Sequence, residues 1–456
     1  MEFVNEIFLK QKAFFNNGKT KEYHYRIENL KKLKAIIKKY EDEILDTLNT
    51  ELRKPHSESY QTELGVTYEE INITIKNLAK WMKPKRVRTP ITHFGASSTI
   101  YSDPYGVSLI IAPWNYPIQL SFAPLIGAIA GGNCAILKPS ELTPNISSLL
   151  KKIINEVFEE DYIAVIEGGV EISTELLQKR FDNIFFTGSV PVGKIVMEAA
   201  AKHLTPLTLE LGGKSPAIVD QTANIDLAAK RIVWGKFTNA GQTCIAPDYL
   251  LVHKSVKEEL LDKMNHYIEV FYGEKPLESN RYASIVTERH ANRLASFIEE
   301  AHIVRGGAYD IENRYIEPTI IDQVSLSDGI MNEEIFGPIL PIFEFDQLNE
   351  SVEFIKQFEK PLALYLFSND RSVQEQIMKN ITFGGGCIND TLMHIASAHL
   401  PFGGVGQSGL GSYHGKASFE AFTHQKSVVR QTTLFDLPLR YPNSKNGISI
   451  IKKLLK

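Results

Sequence analysis

Short apolar runs alternate with helical periods from residue 106 onward. Residues 106–112, 134–137, 163–166, 183–186 and 206–211 read as strands, with helices expected at 117–130, 143–158, 173–180 and 192–202 between them. The alternation resumes after residue 244: a helix at 256–271, then strands near 319–321, 340–343 and 362–367. Strands that are apolar throughout, separated by helices, predict parallel sheets buried on both faces. The expectation is an α/β protein of two parallel-sheet domains, with the ligand site in the crevice between them. Residues 1 to about 80 differ. Their helices are rich in Lys and Glu, as at 23–54, and read as a solvated helical layer.

Residues 104–137 hold 34 positions without a charge. Pro113, Pro117, Pro124 and Gly131-Gly132 interrupt them, and Asn115 and Gln119 sit inside. A spanning helix needs about 20 continuous apolar residues, so two buried strands flanking a buried helix is the better reading. With 456 residues the chain is long enough for two or three domains. Its 50 basic and 54 acidic residues give a formal charge of −4, which argues against a general nucleic-acid partner. Cys134, Cys244 and Cys387 form no disulfide or zinc pattern, so a reduced, cytoplasmic setting and no metal are expected. Glu2 and Glu6 and the lack of a basic stretch before an apolar core argue against a secretory signal.

Candidate chemistry concentrates on Phe237-Thr-Asn-Ala-Gly-Gln-Thr-Cys-Ile-Ala-Pro-Asp248. A helix at 225–237 leads in, a strand at 249–253 leads out, and Asn239, Gly241 and Pro247 turn the chain between them. Cys244 is thus presented on a tight connection, although a cysteine by itself is more often a small buried hydrophobe. Gly188-Ser-Val-Pro-Val-Gly-Lys-Ile195 nearly matches the phosphate loop of nucleotide hydrolases. Ile195 stands where a Mg²⁺-binding hydroxyl is needed and Pro191 deletes a backbone donor, so a dinucleotide fits better than a triphosphate. Gly404-Val-Gly-Gln-Ser-Gly409 has the dinucleotide spacing but follows no clear strand, and reads as a structural turn.

Four more stretches complete the set. They are Ala112-Pro-Trp-Asn-Tyr-Pro117 and Lys138-Pro-Ser-Glu141, each after a strand, Leu209-Glu-Leu-Gly-Gly-Lys-Ser-Pro216, and Glu333-Glu-Ile-Phe-Gly-Pro338. With Phe186-Thr-Gly-Ser189 and the cysteine loop, nearly the whole chain resembles the aldehyde dehydrogenase superfamily. The short N-terminus and Tyr413-His-Gly-Lys-Ala-Ser-Phe-Glu-Ala-Phe-Thr-His424 are similar to its class 3-like branch. The resemblance implies two doubly wound parallel-sheet domains, a Rossmann-like NAD-binding domain (1–80 and 105–212) and a catalytic domain (213–410). Segments 81–104 and 411–456 would form a bridging and oligomerisation extension with a C-terminal tail. It also implies a homodimer, with 427–431 as the candidate pairing strand. For the cofactor, NAD with NADP tolerated, it implies Lys138 and Glu141 at the adenosine ribose and Gly188, Ser189 and Gly193 at the pyrophosphate. Glu334 would hold the nicotinamide ribose, with Phe336 beside the nicotinamide.

Aldehyde oxidation needs a nucleophile, because an aldehyde has no easily lost hydride until a tetrahedral centre forms. Cys244 suits that attack, Asn115 and the Cys244 N–H suit an oxyanion, and Glu210 suits activation of the water that hydrolyses the thioester. Each also has a plainer use: Asn115 in a turn between prolines, Glu210 beside Gly212-Gly213, Lys138 and Glu141 as a surface pair, and Glu334 before a turn. Trp114, Tyr116 and Phe237 suggest an aromatic-lined tunnel toward Cys244 and an apolar aldehyde, medium- to long-chain or aromatic; ordinary core packing is the plainer reading of the same residues. Transfer of the acyl group to coenzyme A and a scaffold without chemistry are the competing functions. The basic, apolar residues 448–456, preceded by Lys445, fit either a frayed end or weak peripheral contact with an anionic membrane.

Overall fold

The computed structural model describes residues 2–299, 301–438, 441–444 and 447–455. Five parallel strands, Leu207–Glu210, Asn183–Thr187, Val107–Ile111, Cys134–Lys138 and Ile163–Val165, lie side by side in that order. Numbered along the chain this is 5-4-1-2-3, the doubly wound order, with its reversal between Val107–Ile111 and Asn183–Thr187. Loops leaving those two strands at their carboxyl ends carry Asn115 and Gly188. Gly409–Leu410 adds an antiparallel edge beside Leu207–Glu210. The stretch 404–409 is the turn that delivers this edge, and the Leu211 N–H donates to the Ser408 carbonyl.

A second sheet has the order His302–Arg305, Thr319–Asp322, Ile339–Phe345, Tyr249–His253, Pro216–Val219, Ala363–Phe367 and Gly385–Ile388. All neighbours are parallel except the first pair. Ile225–Phe237 and Tyr249–His253 form over the residues expected. Pro216–Val219 and Gly385–Ile388 are additions to the sequence pattern. A third sheet joins Lys85–Val87, Ala96–Pro104 and Thr423–Gln431, whose nine residues pair antiparallel with Ala96–Pro104.

The N-terminal helices depart from the solvated layer expected. Their outer faces carry the Lys and Glu residues, but Gln11, Arg26, Lys54, Glu63 and Glu70 are buried. Each has partners: Arg26 donates to the carbonyls of Thr20, Lys21 and Ala130, and Glu70 accepts from the Gly415 N–H. The C-terminal tail also departs from a frayed end: Gly447–Leu454 is a helix. Of the basic residues read there, Lys445 and Lys456 lie outside the described residues. Among the described residues no helix is long and apolar enough to cross a membrane.

Candidate active site

Cys244 sits just past a 3₁₀ turn, Thr238–Gly241, in which Asn239, Ala240 and Gly241 all take left-handed backbone angles, φ 54°, 51° and 72°. Two of the three carry side chains, so outside contacts must hold the turn. The Asn239 N–H donates to Glu58 Oε1 (2.9 Å), and Asn239 Nδ2 donates to the carbonyls of Asn115 (2.9 Å) and Gln242 (3.2 Å). Gln242 Nε2 donates to the carbonyls of Asn239 and Ser284, and its Oε1 accepts from the Val286 N–H. Asn115 Nδ2 donates to the Gln242 carbonyl at 3.0 Å, and the Tyr116 hydroxyl lies 2.6 Å from Thr243 Oγ1. The strand end bearing Asn115 and the loop bearing Cys244 are therefore tied at two consecutive residues.

Cys244 opens onto a cavity of about 240 Å³ shared with Glu210, Tyr116, Trp234, Leu120 and Phe402. The wall is predominantly apolar, and its polar members include Gln61, Thr62, Gln119, Thr187, Thr243 and Glu210. Glu210 ends the strand Leu207–Glu210, is 3 % exposed, and neither carboxyl oxygen has a hydrogen-bond partner. Burial alone holds this carboxyl well above the usual carboxylate range. Burial likewise pushes the Cys244 thiol up, reinforced by the charges of Glu334 and Glu210 and opposed by the N–H groups of Cys244 and Ile245. Two groups whose protonated forms are favoured thus face the same, predominantly apolar cavity.

Trp114 and Phe237 do not line this cavity. Trp114 packs edge-on against Phe336 (ring centroids 5.4 Å) and His290 (5.7 Å), which directs it toward the second sheet. Phe237 is fully buried against Tyr272, since it belongs to the inward face of its helix. Trp234, one turn earlier, takes the cavity position.

The other candidates gather at the crevice. Glu334 lies against Gly212, where any Cβ would collide with its carboxylate, and accepts from the Gly213 N–H. Burial, with Asp248 adding to it, pushes Glu334 up to about 8. Asp248 and Lys214, which the sequence pattern does not single out, brace this corner. Lys214 Nζ donates to Asp248 Oδ2 (2.5 Å) and to the carbonyls of Ile330 and Glu333, and Asp248 Oδ1 accepts from the Ile335 N–H. Phe336 follows with a left-handed φ of 48°. Gly188 and Gly193 are required by close packing, because a Cβ would press on Phe186 and Leu211 respectively. Ser189 caps the helix Val190–Ala201 without spending its side chain on the first amides. Lys138 Nζ donates to Glu141 Oε2 at 2.6 Å. Burial is the largest influence on the Glu141 carboxyl and raises it, but the bond from Lys138, the Glu141 N–H and the Lys138 charge together outweigh it and leave Glu141 below its ordinary value.

The two parallel sheets, with a helix N-terminus at a strand-order reversal and a thiol on the facing loop, define an α/β protein with parallel-sheet domains. The chain belongs to the aldehyde dehydrogenase family, whose model matches residues 3–428, and members of that family oxidise aldehydes to carboxylic acids. It is 52 % identical over 458 residues to the 4,4'-diaponeurosporen-aldehyde dehydrogenase of Staphylococcus aureus, covering all of both chains. It is 44 % identical to the dimeric NADP-preferring aldehyde dehydrogenase of Canis lupus familiaris, over 97 % of this chain and 98 % of that one. A solved structure of Staphylococcus aureus AldH in a substrate-bound state superposes with a TM-score of 0.98 at 51 % identity, covering both chains fully. An NAD-dependent aldehyde dehydrogenase from Sinorhizobium meliloti gives 0.87 at 26 %, over 96 % of this chain and 88 % of that one. The class 3-like resemblance in the sequence agrees with these relatives.

Proposed function

We propose that the chain oxidises an apolar aldehyde to its acid with NAD, tolerating NADP, through Cys244 and Glu210. The observation that carries this reading is the shared, mostly apolar cavity in which the Cys244 thiol and an unpaired Glu210 carboxyl are the reactive groups. Cys244 gives its thiol proton to solvent and attacks the carbonyl carbon as the thiolate to form a thiohemiacetal, with the Asn115 amide and the Cys244 N–H donating to the oxyanion. Bound NAD supplies the hydride acceptor. The resulting thioester is hydrolysed by water whose proton Glu210 takes, a role suited to a carboxyl of raised pKa. Lys138 and Glu141 would hold the adenosine ribose, Gly188, Ser189 and Gly193 the pyrophosphate, and Glu334 and Phe336 the nicotinamide end. The fit is supported by the helix Val190–Ala201, which starts at the strand-order reversal with no side chain bonded to its first amides. Lys138 partly offsets the Glu141 charge, which agrees with NADP being tolerated. The reading keeps 1–80 and 105–212 as the NAD-binding domain, 213–410 as the catalytic domain, and 81–104 with 411–456 for pairing.

An apolar wall favours medium- to long-chain or aromatic aldehydes, and the Staphylococcus aureus relative is named for 4,4'-diaponeurosporen-aldehyde. A cytoplasmic homodimer is supported by three cysteines free of disulfides and by the relatives named as dimeric. Weak contact of the Gly447–Leu454 helix with an anionic membrane rests on exposed Ile448, Leu455, Lys452 and Lys453. The test is NADH formation across an aldehyde panel. Turnover is expected to favour apolar members and to vanish in Cys244→Ala; activity surviving that change, or turnover requiring added coenzyme A, would refute the reading.

A further inference from the structure

Lys54 and Glu63 lie behind the cavity wall, both fully shut off from solvent, with Nζ and Oε1 2.6 Å apart. The mechanism above uses neither. Lys54 follows the helix Glu41–Leu52 and a left-handed Arg53 (φ 51°), which turns the chain inward. Glu63 sits in a π-turn, Tyr60–Leu64, the kind of local widening that helices adopt where a side chain must be re-aimed.

What distinguishes this pair is where its remaining hydrogen-bonding capacity goes. Lys54 Nζ donates to the Asn115 carbonyl at 3.0 Å. Glu63 Oε2 accepts from the N–H of Ile118 at 2.8 Å and of Gln119 at 3.3 Å. Lys54 Nζ also stands 4.1 Å from the Tyr116 ring centroid. All these contacts fall on residues 115–119, a segment that Pro117 deprives of one of its own donors. Between the two anchors lie the side chains that reach the nucleophile loop, Asn115 to the Gln242 carbonyl and Tyr116 to Thr243 Oγ1. A buried ion pair is costly unless both charges are satisfied. Here they are satisfied by the backbone of one short segment and not by general packing.

We propose that Lys54 and Glu63 are positioning residues that clamp residues 115–119 against the Cys244 loop and so fix the Asn115 amide for oxyanion stabilisation. This rests on the reading of Asn115 given above. Their effect is exerted through Asn115, with no contact to substrate, and misplacement of a catalytic group by about 1 Å can lower a rate on the order of 100-fold.

The experiment is a kinetic cycle with Lys54→Met/Glu63→Leu, Asn115→Ala and the combination. Replacing the pair by apolar residues of similar volume removes the cost of burying two charges but leaves the Ile118 and Gln119 N–H groups without their acceptor, so the melting temperature is expected to fall moderately and kcat is measured well below it. kcat is expected to fall roughly 10-fold or more, with the KM for NAD unchanged. Asn115→Ala is expected to lose on the order of 10²-fold, and the combined variant no more than Asn115→Ala alone, because the clamp has nothing left to position. Parent-like kcat in the clamp variant, or losses that multiply in the combination, would overturn the proposal while leaving Asn115 its role. Parent-like kcat in Asn115→Ala would overturn both. If the double replacement does not fold, Glu63→Gln takes its place in the cycle. It keeps the shape but cannot balance the Lys54 charge, and the same non-additive pattern is expected of it.

Discussion

At the scale of single residues, the site is governed by carboxyls kept out of water. Glu210 has no hydrogen-bond partner for either oxygen, so its pKa is set by burial and not by a specific neighbour. A buried carboxylate holds a proton more tightly than a solvated one, so in its ionised form it is the stronger base, which suits activation of the water that hydrolyses the thioester. Glu210→Gln is therefore expected to release NADH in a burst approaching one equivalent per active site and then turn over on the order of 10²- to 10⁴-fold more slowly. Rapid-mixing absorbance of NADH reads both phases, and an absent burst would move Glu210 into the first step. Glu334 allows a test by pH. Its folded value of about 8 stands above an unfolded value near ~4.3. Between those values the unfolded chain gives up the proton first, so this group's stabilising contribution is complete at low pH and drains away as pH rises toward 8. Glu334→Gln removes that dependence. Its melting temperature relative to the parent is expected to climb from pH 5 to pH 8, and a flat difference would mean that Glu334 titrates normally.

At the scale of elements, the decisive piece is the left-handed turn before Cys244. Gly241 has a φ of 72°, and a Cβ there would collide with the Gly337 carbonyl of the facing segment. Gly241→Ala is expected to destabilise the protein by about 3 kcal/mol, from the strained φ and the overpacking together, and to lower kcat by displacing the thiol. Thermal unfolding and steady-state kinetics on one preparation check both effects. The helix and strand flanking this turn were legible in the sequence because both carry uninterrupted patterns, 3.6-fold in Ile225–Phe237 and continuously apolar in Tyr249–His253. Pro216–Val219 was not, although it is central in its sheet: four residues opening with proline carry too little pattern. Gly385–Ile388 was hidden by its glycines, which the sheet needs because a Cβ at Gly386 would strike the Leu364 carbonyl. The site divides in the same way. Glu210 ends a recognisable strand, while Asn115 and Cys244 stand out in the connections that follow Val107–Ile111 and Ile225–Phe237. Lys54 and Glu63 do not, since buried and solvated charges look alike in a Lys- and Glu-rich helical stretch. The misreading of Phe237 as a cavity residue was a matter of one helical turn, with Trp234 pointing where Phe237 was expected.

At the scale of the whole molecule, two of the sheet edges open among the described residues suit pairing with a second copy. One is Thr423–Gln431, nine residues almost wholly exposed, with Val428 and Val429 on its surface. The other is Gly385–Ile388, the last strand of the larger sheet, with Ile388 exposed. Long exposed edges bearing apolar side chains invite further pairing and are normally covered. The first edge belongs to the antiparallel sheet formed with Ala96–Pro104, and the second to the sheet beneath the candidate site. A two-fold dimer in which each edge of one copy receives the other edge of its partner would close both at once, because such an interface repeats itself across the axis. Charge on the first edge should then be felt as assembly and not as folding. Val428→Asp/Val429→Asp places two carboxylates on a strand that is solvent-exposed in the single chain, so the melting temperature of the isolated subunit has little reason to change. Sedimentation equilibrium is expected to give a dimer for the parent and a monomer for this variant. A variant that stays dimeric would place the interface elsewhere and leave both edges to be explained by some other cover.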